Sequence, residues 1–107
     1  MADLQEHKAT VAKYTKVNTA ALDKMGKTYA LVLSNKDSQY VACGDDGEKA
    51  TVCANFLKKK LGLTNSEAEL NAAIEAVCVT MKEDRMKSRL AFYYLLAEKF
   101  GKLGMFA

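Results

Sequence analysis

Between Leu90 and Ala97 eight consecutive positions carry only apolar or aromatic side chains, which over two helical turns leaves no face free for water. The run outlasts a typical strand, continues through Glu98-Lys99 and meets Gly101, a residue suited to closing a helix in a left-handed conformation. It predicts a central C-terminal helix within Ser88 to Leu103, around which everything else must pack. The remaining apolar positions form one-sided stripes at helical spacing: Leu4, Val11 and Tyr14; Leu22, Met25, Tyr29, Val32 and Leu33; Val52, Cys53, Phe56, Leu57 and Leu61; then Leu70, Ala73, Ile74, Val77, Cys78 and Met81. These patterns predict an all-α fold, a small single-domain bundle of about four to five helices over residues 1–107, with residues 1–17 fraying.

The polar positions place the boundaries. Asn18 or Thr19 is suited to cap the second helix, because a short polar side chain accepts from unpaired first-turn amides. Gly26 within that helix costs about 1 kcal/mol relative to alanine, which a close neighbour or a break would explain. Ser34 to Ser38 reads as a loop, and Gln39 to Cys43 as either a short helix or an extended connector. Asp45 and Glu48 form a capping box opening the next helix, and Lys58, Lys59 and Lys60 with Gly62 mark its end. Thr64 and Glu67 make a second box, with Ser66 and Glu69 as a competing register, for a helix reaching about Lys82. Lys82 to Arg89 contains neither proline nor glycine, so both a turn and a continuous helix fit it. The tail beyond Gly101 keeps Leu103, Met105 and Phe106 and is expected to fold back.

Composition narrows the class. The 107 residues are half hydrophobic and about a quarter charged, with no proline or tryptophan, enough to bury roughly 65% of the unfolded surface without staples. A net charge of +3 is too mild to call for nucleic acid, which is not an expected partner. The longest apolar run falls far short of the ~20 residues that span a bilayer, and the first residues lack a signal-peptide core; a cytoplasmic protein without membrane contact is expected. Three cysteines without CxxC spacing are expected to be reduced thiols, Cys53 and Cys78 in the core and Cys43 reactive beside a glycine-rich loop.

Candidate chemistry is sparse. The lone histidine, His7, is expected to be solvated, since catalysis needs a positioned base with an oriented partner. No metal is expected from three scattered cysteines, nor calcium from Asp45-Asp46-Gly47-Glu48, which lacks alternating oxygen ligands. No cofactor motif is present. Ala54 to Ala73 superficially resembles a helix-turn-helix, but Glu67 and Glu69 occupy the first turn that would enter the groove. The lysine triplet is accounted for as helix-end charge, and Phe92, Tyr93 and Tyr94 as core residues rather than base-stacking platforms.

One stretch breaks the electrostatic rule. If the central helix starts near Arg85 to Ser88, its cations crowd an end where free amides already carry positive potential. A negative group is therefore required, either a carboxylate from Asp84 or another helix, or a bound phosphate or carboxylate. Arg85, Lys87, Ser88 and Arg89 are the candidate ligand-contact patch.

Three motifs, Asn55-Phe56-Leu57-Lys58-Lys59-Lys60-Leu61-Gly62-Leu63, Met81-Lys82 with Asp84 to Arg89, and Phe92 to Leu103, resemble a family of small bacterial proteins known as domain of unknown function 2853. The resemblance covers most of the chain and implies a small helical cytoplasmic protein with no family catalytic residues. The leading functional expectation is a non-enzymatic helical module that binds an unknown protein partner or self-associates. The alternatives are a small-anion binding protein or enzyme using the arginine patch, and a weak nucleic-acid binder through lysine-rich helix ends.

Overall fold

A computed structural model describes residues 4–35 and 38–106. The Leu4 side chain and the Lys36–Asp37 pair of the expected loop lie outside the described residues, as does Ala107. Six α-helices run in order: α1 Leu4–Tyr14, α2 Thr19–Thr28, α3 Ala30–Ser34, α4 Asp46–Thr51, α5 Glu67–Thr80 and α6 Arg89–Lys99. A two-stranded antiparallel ladder pairs β1 Tyr40–Val41 with β2 Lys87–Ser88 in the register Tyr40 with Ser88 and Val41 with Lys87.

Helix α6 is the centre. Every residue from Leu90 to Ala97 is buried, none more than 8% exposed, and α6 touches α1, α2, α5, the ladder and the C-terminal turn. Complete burial leaves Tyr94 needing a partner for its hydroxyl, and the Asn18 backbone N–H donates to it at 2.8 Å. Asn18 is also the N-cap of α2, its side chain accepting from the Ala21 amide. The start of α2 is thus fixed against the middle of α6.

The expected second helix is split. Tyr29, with φ −105° and ψ 14°, closes α2 and opens α3, so the break falls three residues beyond Gly26. The connector Gln39 to Cys43 is extended at Tyr40–Val41, between a bend at Gln39 and a turn at Cys43, and Lys82 to Ser88 is a turn followed by β2. A ladder of two residues has no alternation long enough to read in a sequence.

Helix α4 passes directly into a π-helix, Val52–Lys60, with Leu61 N–H donating to the Phe56 carbonyl five residues back. This widening is uncommon and has no signature in the stripe, all five of whose members are buried. Gly62 closes the segment at φ 66°, with Leu63 N–H reaching the Leu57 carbonyl six residues back at 3.0 Å, one residue wider than the Schellman turn that closes an α-helix. Of the two capping registers before α5, the competing one is used: the Ser66 hydroxyl accepts from the Glu69 amide, while Glu67 pairs with Lys58 at 2.7 Å. A 3₁₀ turn at Leu103–Met105 folds the tail back, burying Phe106 beneath Lys60, 5.7 Å from the ring centroid.

The thiol expectation needs correction. Cys43 and Cys78 form a disulfide with Cα atoms 6.0 Å apart, so neither is a free thiol, and Cys53 is the free buried cysteine. Cys43 and Cys78 are 35 positions apart, and only the fold brings the β1 connector against α5.

The tie between Asn18 and Tyr94 is testable. Tyr94→Phe keeps the packing but orphans the Asn18 amide, and should lower stability by about 1–2 kcal/mol, read from urea unfolding, with faster amide exchange at Asn18 to Leu22. Unchanged exchange there would show that the start of α2 is held by something else.

Candidate functional site

The start of α6 gathers polar groups into an otherwise apolar interior. Arg89, 7% exposed, lies in its first turn, and such a buried guanidinium requires an acceptor for nearly every N–H. Nε donates to the Ser38 carbonyl, one terminal nitrogen to the Tyr93 hydroxyl at 2.9 Å, and the other to the Tyr40 carbonyl and the Glu48 carboxylate. The Arg89 backbone amide donates to the Gln39 carbonyl at 2.8 Å. Burial would pull the guanidinium's pKa down, but the Tyr93 hydroxyl and the Glu48 carboxylate outweigh it and hold the group above its ordinary value.

Glu48 therefore does something other than complete a capping box. Asp45 does cap α4, accepting from the Glu48 amide at 3.1 Å, but the Asp45 amide donates to Ala42 and the Glu48 carboxylate goes to Arg89. The reciprocal arm of the expected box is absent because a buried cation is the stronger donor for that carboxylate.

His7 is the second correction. It is 2% exposed, with Nδ1 2.6 Å from the Ser88 Oγ and Nε2 3.2 Å from the Gln39 Oε1. An amide oxygen only accepts, so Nε2 carries the proton and Nδ1 accepts from the Ser88 hydroxyl. The arrangement superficially resembles an activated serine. The hydroxyl is occupied at both ends, however, since Ser88 is the N-cap of α6 and also accepts from the Ala91 amide at 3.3 Å. We read these residues as a structural network joining α1, β1 and the start of α6. Nothing local around His7 distinguishes it from a solvated residue, because its partners lie 32 and 81 positions away.

The four residues of the arginine patch have different placements. Arg89 and Ser88 are buried and partnered, and Lys87 is half-buried, its ammonium donating to the Asp84 carbonyl at 2.9 Å. Arg85 is exposed and makes no ion pair among the described residues. The Asp84 carboxylate accepts from Lys13 at 2.7 Å and from the Tyr14 hydroxyl at 2.6 Å, anchoring α1 to the turn before β2. Burial raises the Asp84 pKa, but those two donors outweigh it and hold the carboxyl below its ordinary value. Burial, reinforced by Asp84, pushes the Tyr14 hydroxyl up to about 12.

Beside Arg89 opens a groove of about 410 Å³, within the size range of small-molecule sites. Its apolar wall is Tyr29, Val32, Phe56 and Tyr93, and its polar edge is Ser38, Glu48, Thr51, Asn55 and Arg89. Glu48, Thr51 and Asn55 come to this edge at helical spacing along α4 and the π-helix. The Phe56 and Tyr93 rings stack at 4.0 Å between centroids, with Tyr29 edge-on to both. Burial, with Tyr93 nearby, holds the Tyr29 hydroxyl well above its ordinary pKa, so it is a neutral donor. The groove thus offers neutral hydrogen-bonding groups, an aromatic wall and an ion pair that already satisfies itself. Among the described residues no group of three or more His, Cys, Asp or Glu is placed to hold a metal ion, and no helix is long and apolar enough to cross a membrane.

The model of a protein family of unknown function, DUF2853, matches residues 2–104. No curated protein matches the chain.

Two expectations follow from the site. Arg89→Ala strands a carboxylate and several buried acceptors and should cost about 3–5 kcal/mol. Glu48→Gln keeps an acceptor at a partly exposed position and should cost about 1–2 kcal/mol; equal small losses in urea unfolding would show that the pair is not desolvated. The second concerns pH. Asp84, depressed in the folded state, stabilises above its unfolded pKa of about 3.9, and that contribution is lost as pH falls through the lower folded value. Tyr14, raised to about 12, stabilises below its unfolded pKa and loses that contribution as pH rises towards 12. Asp84→Asn should flatten the acid limb of a stability–pH curve and Tyr14→Phe the alkaline limb, and unchanged limbs would remove both assignments.

Proposed function

We propose that this chain, which belongs to the DUF2853 family, is a non-enzymatic binding module that takes an uncharged, planar ligand in the groove between α3, the π-helix and α6. One observation carries this reading: the guanidinium at the groove is already neutralised by Glu48, leaving an aromatic wall beside uncharged donors and acceptors. A planar ligand would gain from contact with the half-buried Tyr29 ring, which Phe56 and Tyr93 hold in place, and Asn55 and Thr51 would orient its polar atoms. A π-helical segment in the wall is consistent with this, since such widenings are frequent at functional sites. A bacterial cytosol is the proposed setting.

The anion reading has weaker support. Of Arg85, Lys87, Ser88 and Arg89, Arg85 alone among them is exposed and outside an ion pair or a hydrogen bond among the described residues, so a phosphate would displace existing partners. Lysine-rich helix ends are likewise engaged at Lys58 and Lys60. A protein partner or second copy is favoured by Leu31, 86% exposed and next to Val32 of the groove wall.

Indole and inorganic phosphate separate these readings by amide NMR. Indole should give saturable shifts at Tyr29, Val32, Asn55 and Phe56, weakened about fivefold in Asn55→Leu, which removes one hydrogen bond worth roughly 1 kcal/mol. Saturable phosphate shifts at Arg85 to Leu90 would transfer the assignment to the anion reading. Concentration-dependent broadening centred on Leu31 without either ligand would transfer it to self-association.

A further inference from the structure

We propose that the Cys43–Cys78 disulfide is a reversible thiol-exchange switch that sets the polar edge of the groove; the regulatory consequence rests on the groove reading above.

Position is the basis. Arg89 is held at the groove by the Ser38 and Tyr40 carbonyls and by Glu48, and all three acceptors belong to one stretch of chain, residues 38–48, with Cys43 in its middle. Its first half is also anchored by the buried Gln39, whose side chain meets His7, and by Val41; from Ala42 onward it is held by a turn closed by Asp45 N–H to the Ala42 carbonyl at 3.1 Å and an exposed Lys49–Glu75 ion pair holding α4 to α5. The disulfide is its covalent attachment to α5. Releasing it frees the turn before α4, and with it the approach of Glu48 and Tyr40 to Arg89.

Both ends suit exchange rather than permanent stapling. Cys43 is the more exposed of the two and so the end proposed for attack by an incoming thiolate, while Cys78 is 9% exposed on the apolar face of α5. Attack at Cys43 breaks the S–S bond and forms a mixed disulfide there, with Cys78 leaving as a thiolate that takes a proton from water. A second thiolate attacks the outer sulfur, releasing Cys43 and an oxidised external disulfide, so two electrons pass from two external thiols to the cystine. Cys78 as a free thiol is then a small apolar residue on a core face, and the stripes around α6 remain buried without the cross-link. In a reducing compartment a protein disulfide is characteristically transient, which agrees with the cytosolic setting proposed above.

The test uses the full chain and dithiothreitol, with no groove ligand present. Before reduction, alkylation of the denatured chain should modify Cys53 alone, and after reduction all three cysteines. In the folded protein, reduction should shift amides across Gln39 to Glu48 and at Tyr29, Asn55 and Arg89, and lower exchange protection at Tyr40 and Val41 about tenfold, leaving Leu90 to Ala97 unchanged; oxidised dithiothreitol should restore the original spectrum. A Cys43→Ser, Cys78→Ser double variant should reproduce the reduced spectrum without reductant. Shifts limited to the immediate neighbours of residues 43 and 78, cooperative unfolding on reduction, or three reactive cysteines before it would each overturn the switch. Indole binding in neither redox state counts against the groove as a ligand site, whereas the shift pattern, measured without any ligand, decides the switch.

Discussion

A single buried cation constrains the architecture around the start of α6. Removing a guanidinium from water costs several kcal/mol unless its donors find partners, and Arg89 finds them at Ser38 and Tyr40 where the chain enters β1, at Glu48 of α4 and on its own helix at Tyr93. Glu48 supplies the compensating charge, and the two carbonyls and the Tyr93 hydroxyl accept the remaining donors. The β1 connector is extended, and the ladder exists, because that conformation delivers the Ser38, Gln39 and Tyr40 carbonyls to one residue of α6. Helix α4 lies where it does in part because Glu48 must reach the same group.

Immediately beyond Arg89 the character of α6 reverses. From Leu90 to Ala97 the helix is apolar on all sides and buried by every neighbour it touches, each Å² of apolar surface removed from water contributing about 25 cal/mol. Such a surface packs well in many rotations. The polar contacts select one, because Ser88 must meet His7 of α1, Arg89 must meet Glu48 of α4, and Tyr94 must meet the Asn18 amide. Burial makes the bundle stable, and directional bonds at the start of the helix and at Tyr94 determine which bundle it is.

The division between what the sequence disclosed and what it concealed follows the range of each interaction. Stripes, caps and glycine stops act within a few residues, so the burial of Val52, Cys53, Phe56, Leu57 and Leu61, the Asn18 cap and the Gly62 stop were all legible. The electrostatic conflict at the start of α6 was legible too, as a demand for a negative group, and Glu48 from another helix meets it. Its identity was not, because the same carboxylate already had a local explanation as a capping residue. His7, Gln39 and the Cys43–Cys78 pair stayed hidden for one reason: each acquires its role from a partner more than 30 residues away, and local rules are silent at that distance.

Irregularities in this molecule are not scattered. The joint between α2 and α3 at Tyr29, the π-helical widening that carries Asn55 and Phe56, and the buried charge at Arg89 each depart from the simplest helical packing, and all three border the same groove. A continuous α2–α3 helix would carry Tyr29 in regular helical geometry, and an unwidened α4 would place Asn55 and Phe56 at different angles to α6. An unbroken apolar wall would serve stability equally well without the cost of desolvating Arg89. Where several local rules are broken at one place and satisfied elsewhere, selection for packing alone is a poor account of it. The groove is the feature these departures share, and their meeting at one place is the support they lend to the binding role proposed for it.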